Sequence, residues 1–177
     1  QPVRHQVAAL ARTPSDDPAF KRAMMIIPDR LAALEQLLSN LKDLSRPIEL
    51  RLRDVDLESL LASVWRDVQE LPATAGVSFS ASLPPEAAHC RGDGHWLRQV
   101  FYNLLRNAVE ATEGRQERQI RVSGRATEKA LTIEVRDNGC GLSEQNQQQL
   151  FQLFFTTKGS SGTGLGLSIS RSIIRDH

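Results

Sequence analysis

Cysteine is scarce in this sequence: Cys90 and Cys140 are the only two among 177 residues. Two thiols cannot build a disulfide framework or, alone, a zinc site, so a reducing, cytoplasmic setting is expected. Long apolar runs are missing as well, and none approaches the roughly 18–20 residues that span a bilayer. Charge of one sign is not in excess. Twenty-two Lys and Arg face 21 Asp and Glu, a formal net charge of +1. That excludes a nucleic-acid partner held by bulk charge, because phosphate backbones need a concentrated positive field. There is no signal peptide and no initiating Met, so the chain reads as a piece of a longer protein, with membrane anchoring elsewhere in that protein left as an open alternative. What is present, 40% apolar and 24% charged residues, is ordinary globular composition sized for one domain with an appendage.

The grammar changes along the chain. Residues 1–46 read as an antiparallel helical hairpin. Thr13-Pro14-Ser15-Asp16-Asp17-Pro18 is a turn, with Asp17 a cap and Pro18 suited to the first helical position. Ile27, Leu31, Leu34, Leu38 and Leu41 then alternate steps of four and three, a coiled-coil seam. Leu37 and Leu44 widen the stripe, which fits burial among several helices, a four-helix bundle in a homodimer. Pro28 predicts a kink. Residues 47–53 read as a linker and 54–177 as a second domain. In it, 56–71 and 93–112 have helical patterning, as does a last segment from about Thr163. Residues 77–83, 120–126 and 130–136 alternate like strands, the last two as a hairpin. The fold class is α+β, a sheet with helices on one face.

Four stretches carry chemistry. Asn103, Asn107 and Glu110 fall at steps of four and three, on one helical face. Their oxygens are hard donors that suit Mg²⁺, against a plainer reading of solvated polar residues. Asp137-Asn138-Gly139-Cys140-Gly141 follows a strand. A carboxylate there, beside glycines that let the backbone approach, can accept from an exocyclic amine; an Asp-Asn-Gly turn is the plainer reading. Gly162, Gly164 and Gly166 alternate ahead of a helix start, an anion-binding arrangement unlike a Walker loop or a dinucleotide fingerprint; a flexible Gly/Ser loop is the alternative. Between these, residues 150–158 hold three of the six phenylalanines and end on Thr157-Lys158. The aromatics read as an anchor on a mobile segment or as core, and Lys158 as a point charge for a terminal phosphate or as a solvated residue.

Together, in this order, these stretches resemble the N, G1, F and G2 boxes of the catalytic domain of sensor histidine kinases, within the wider ATPase family of gyrase, mismatch-repair and large heat-shock chaperone proteins. The resemblance covers residues 54–177. It implies an α/β sandwich with a mixed sheet, three helices on one face, and ATP between the helices and a flexible lid. It implies that Asp137 bonds the adenine amine and that Asn107, with Asn103, holds Mg²⁺. It implies nucleotide contacts from Asn103, Asn107, Asp137, Gly139, Gly141, Thr157, Lys158 and the run Gly162, Thr163, Gly164, Leu165, Gly166 and Leu167. The hairpin is then the dimerisation and phosphotransfer element. Gln1-Pro2 resembles the tail of the acceptor motif, which puts the acceptor histidine upstream of Gln1. His5, the only histidine in the hairpin, is the candidate within the chain, although a helix-surface histidine is the plainer reading. Glu110 is a candidate for metal-shell or water contact. A response-regulator receiver domain and an upstream sensor domain are the implied partners. Two further strands beyond His177 are implied to complete the sheet. The competing functions are a conformational ATPase of the wider family and a kinase-inactive docking module.

Overall fold

The chain divides into two compact units, Gln1–Pro47 and Ile48–His177. The computed structural model describes residues 49–158 and 162–177, together with Asp17, Phe20 and Ile27. The expected hairpin, its leucine seam, the kink at Pro28 and His5 therefore lie outside the described residues, apart from helical backbone at Phe20 and Ile27.

The second unit opens with strand β1 (Arg53–Asp56) and helix α1 (Leu57–Gln69). Asp56 ends the strand and caps the helix, accepting from Ser59 N at 3.0 Å and Ser59 Oγ at 2.7 Å. Strands β2 (Val77–Ser82) and β3 (His89–Gly92) follow, then the 18-residue helix α2 (Gly94–Ala111). Strands β4 (Arg118–Ala126) and β5 (Leu131–Asp137) precede a short helix α3 (Glu144–Gln149) and helix α4 (Gly166–Asp176). The sheet is mixed. β2 runs parallel to β4, and β4 antiparallel to β5, with Val122 opposite Val135 and Ile120 opposite Asp137. β1 and β3 form a separate antiparallel pair. The β4–β5 turn lacks Gly and Asn because Thr127 closes it: its N–H donates to Ala130 O at 2.8 Å and its hydroxyl accepts from Ala130 N at 3.1 Å.

The helices cover one face of the sheet because their apolar residues recur at helical spacing. Leu57, Leu61, Val64, Trp65 and Val68 of α1 meet Phe101, Leu105, Ala108 and Val109 of α2 over Ile120 and Val122 of β4. Trp65 stacks on Phe79 of β2, centroids 4.2 Å apart and planes 13° from parallel. Each fully buried aliphatic side chain here contributes about 1.5–3 kcal/mol. Arg118 closes the C-terminal end of α2. Its guanidinium donates to Val109 O (2.8 Å), Thr112 Oγ1 (3.2 Å) and, before β2, Ala75 O (2.9 Å).

Asp93 closes the other end. Its Oδ1 accepts from His95 N at 3.0 Å and Trp96 N at 3.4 Å, and its Oδ2 from Arg51 N at 2.8 Å. Its own N–H donates to His177 Nε2 at 3.0 Å, while His177 Nδ1 donates to Ile173 O at 2.8 Å. A carbonyl can only accept, so the ring proton is on Nδ1. The end of α4 is thereby fastened to the start of α2. Burial pushes the Asp93 carboxyl up, but the three backbone N–H donors outweigh it and hold it below the ordinary carboxylate range. A lowered folded pKa means stability that is present above the unfolded value, near 4, and lost as pH falls through the folded one. Asp93→Ala therefore loses about 1–2 kcal/mol at neutral pH. In urea unfolding across a pH series, its deficit against wild type shrinks as pH falls below about 4.

Candidate functional site

On α2, Asn103, Asn107 and Glu110 lie on the side of the helix opposite Leu105 and Phe101. Asn103 is the buried member, 7% exposed. Its Nδ2 donates to Gly166 O at 3.2 Å and lies 3.4 Å from Ser170 Oγ, both on α4. Asn107, one turn on, is more open. Its Oδ1 accepts from Lys158 Nζ at 2.9 Å. The same ammonium forms an ion pair with Glu110 Oε2, while Glu110 Oε1 faces Arg106 Nε at 3.5 Å.

A cation thus sits on a carboxamide oxygen and a carboxylate. Lys158, expected at a phosphate, lies against α2. A partly exposed pair of this kind contributes at most about 1 kcal/mol, little enough for a divalent ion with its phosphate ligands to displace. The oxygens of Asn107 and Glu110 fit Mg²⁺. Among the described residues no group of three His, Cys, Asp or Glu side chains could hold a metal. Mg²⁺ here would complete its octahedron with waters and ligand oxygens, its usual habit.

The loop after β5 is pinned to the end of α2. Cys140 N donates to Ala111 O at 3.0 Å, and Arg115 Nη2 donates to Gly139 O at 2.8 Å. Gly139 lies so close to that helix end that a Cβ would stand 2.4 Å from Ala111 O. Asp137, at the last position of β5, is exposed, and its Oδ1 accepts from Gly139 N at 2.9 Å, which orients the carboxylate. Asn138 continues the sheet with its side chain, donating to Glu117 O at 2.8 Å and accepting from Gln119 N at 2.9 Å. Gly141 is exposed.

The phenylalanine segment splits. Phe151 and Phe154 are exposed and Phe155 half-buried, so the first two are not core. The Arg171 guanidinium lies 5.3 Å from the Phe151 ring centroid. Phe154 has φ +65°, the left-handed region, and its N–H donates to Gly164 O at 3.1 Å. Gly164, also at φ +65°, is too close for a side chain: a Cβ would stand 2.3 Å from the Phe154 carbonyl carbon. Thr157 is exposed, and Gly162, Thr163 and Leu167 are half-buried. Leu165 is fully buried and caps α4 without a side-chain acceptor, so among the described residues the first N–H groups of α4, from Gly166, have no side-chain partner. Residues 159–161 lie outside the described residues. Arg115 and Ser170 stand in none of the four stretches, and Asn138 lies in one as a turn residue. The Asp-Asn-Gly pattern is the one sequence signal among these three, and it points to a turn rather than to the side-chain bonds Asn138 makes.

Residues 92–177 match the family described as histidine kinase-, DNA gyrase B- and HSP90-like ATPase. Signal transduction histidine-protein kinase AtoS of Escherichia coli is 32% identical over 168 residues, 95% of this chain and 27% of AtoS. The chain spans about a third of the length of the curated relatives it matches. Among solved structures, the catalytic domain of histidine kinase ThkA is 30% identical with a TM-score of 0.62, covering 71% of this chain and 81% of that one. ThkA in complex with response regulator protein TrrA has a TM-score of 0.72 at 25% identity, covering 98% of this chain and 49% of that one. Full-length ShkA in complex with AMPPNP has a TM-score of 0.77 at 25% identity, covering 97% and 36%.

The contact at Gly139 yields a direct expectation. Gly139→Ala forces the loop off the end of α2 and lowers urea stability by about 1–3 kcal/mol, the usual cost of overpacking.

Proposed function

We propose that this chain, which belongs to the histidine kinase-, DNA gyrase B- and HSP90-like ATPase family as a sensor histidine kinase catalytic domain, binds Mg-ATP and transfers its γ-phosphoryl group to a histidine. The observation that carries the proposal is that one helix holds every part of the site. α2 offers the oxygens of Asn107 and Glu110 to a cation, fixes the Asp137 loop through Ala111, and holds the start of α4 through Asn103. ShkA, solved with an ATP analogue, supports the choice of nucleotide.

In this reading Asp137 accepts from the adenine amine, with Gly139 and Gly141 giving the base room. The first N–H groups of α4 and the residues from Gly162 to Leu167 face the phosphates. Asn107 and Glu110 hold Mg²⁺, which supplies charge neutralisation to the phosphate oxygens when bound. Lys158 leaves α2 for the phosphates, with Thr157 beside it. The acceptor histidine nitrogen attacks the γ-phosphorus, its bond to the β,γ-bridging oxygen breaks, and ADP leaves. The protein has little covalent work here beyond positioning and neutralising charge. A histidine preceding Gln1 or, within the chain, His5 receives the group at the hairpin of residues 1–46, where the chain dimerises. An aspartate of a response-regulator receiver domain takes it next, in keeping with ThkA having been solved with TrrA. Residues 47–53 link the two domains, and a sensor domain lies upstream. Among the described residues no helix is long and apolar enough to cross a membrane, and we place this part of the protein in the cytoplasm.

Calorimetric titration tests the reading. Wild type is expected to bind ATP or ADP in the micromolar range, more tightly with Mg²⁺. Asp137→Asn is expected to lose at least about tenfold, the worth of a hydrogen bond to a charged group. A folded wild type that binds neither nucleotide overturns the proposal.

A further inference from the structure

Asn103 and Asn107 share a helix face and a residue type, yet the structure gives them different partners. Asn107 presents its oxygen to a cation; Asn103 turns its amide nitrogen into α4. Gly166 O can only accept, so the group facing it must be the donor end of the amide. Ser170 completes a closed arrangement. It is buried, its Oγ donates to Gly166 O at 2.8 Å, and it faces the Asn103 amide at 3.4 Å. Gly166 is the first residue of α4, whose leading N–H groups have no side-chain cap among the described residues. The far end of α4 is fastened to Asp93 through His177, so α4 runs antiparallel to α2 with an anchor at each end.

We infer that Asn103 and Ser170 are positioning residues for the phosphate-facing end of α4, and that Asn103 is not a ligand of the metal. The pair sets where the uncapped N–H groups point, and those groups meet a nucleotide polyphosphate. Asn103 acts through α4, so its contribution is made to the phosphates and is independent of the divalent ion. This inference rests on the nucleotide reading of the site.

Asn103→Asp separates the two roles. A carboxylate in that position is an equal or better Mg²⁺ ligand, but it has no proton for Gly166 O and repels it. On the full 177-residue chain, ADP is titrated with Mg²⁺ and with EDTA, and adenosine serves as a probe without phosphates. Positioning predicts that Asn103→Asp weakens ADP by the same factor, roughly 3- to 10-fold, with and without Mg²⁺, and leaves adenosine unchanged. Ser170→Ala, the milder variant should Asn103→Asp fail to fold, weakens ADP in the same Mg²⁺-independent manner. The double variant is no worse than the stronger single, because both act on one carbonyl. Val64→Ala, a core truncation on α1, controls for stability alone: it lowers the urea midpoint without changing ADP affinity. ADP affinity retained in Asn103→Asp, loss seen only with Mg²⁺, or an equal loss for adenosine overturns the inference. A wild type that binds no ADP overturns the nucleotide reading and this inference with it.

Discussion

Helix α2 has to serve two environments at once, and the second unit is arranged around that constraint. One side must bury Phe101, Leu105 and Val109 against α1 and the sheet. The other must present Asn103, Asn107 and Glu110 to α4 and a cation. A helix interior tolerates two asparagines poorly, and only tertiary contacts make them worth holding there. Both ends are therefore closed by side chains. Asp93 gathers the donors at the start, and Arg118 covers the Val109 carbonyl at the finish. With the ends closed and the apolar side packed, the polar side has little freedom to rotate.

That rigidity makes α2 the reference for the surrounding loops. The Asp137 loop is measured from Ala111, and the glycine run from Asn103. The Asp137 loop takes its place from a backbone contact with the helix, and the glycine run from the Asn103 side chain and the Phe154 backbone.

Much of this was legible in the residues. The three long helices and the strands β2, β4 and β5 follow from apolar spacing, and the family from the order of the Asn, Asp and Gly clusters. Boundaries were looser: the last helix starts at Gly166 rather than near Thr163, because Leu165 is the cap. β1 and β3 escaped because each has only four residues, most of them polar or charged in β1 and without apolar alternation in β3, and among the described residues each pairs only with the other. α3 escaped because Glu144–Gln149 contains no apolar residue, and its start depends on Ser143 accepting from Asn146 N at 3.2 Å. The partners of Asn103 were beyond reach for a different reason. Gly166 and Ser170 lie more than sixty residues further on, and no periodicity links them to α2. Lys158 likewise meets α2 across 51 residues of chain.

The Phe154–Gly164 hydrogen bond joins the two ends of the excursion between them. A segment whose ends are tied is free to vary in length, since closing a longer loop adds cost only logarithmically. The cost of closing that span therefore depends only weakly on how many residues it holds. The left-handed backbone at Phe154 is the conformational cost of that closure, borne by a residue with a side chain at the point where the span begins.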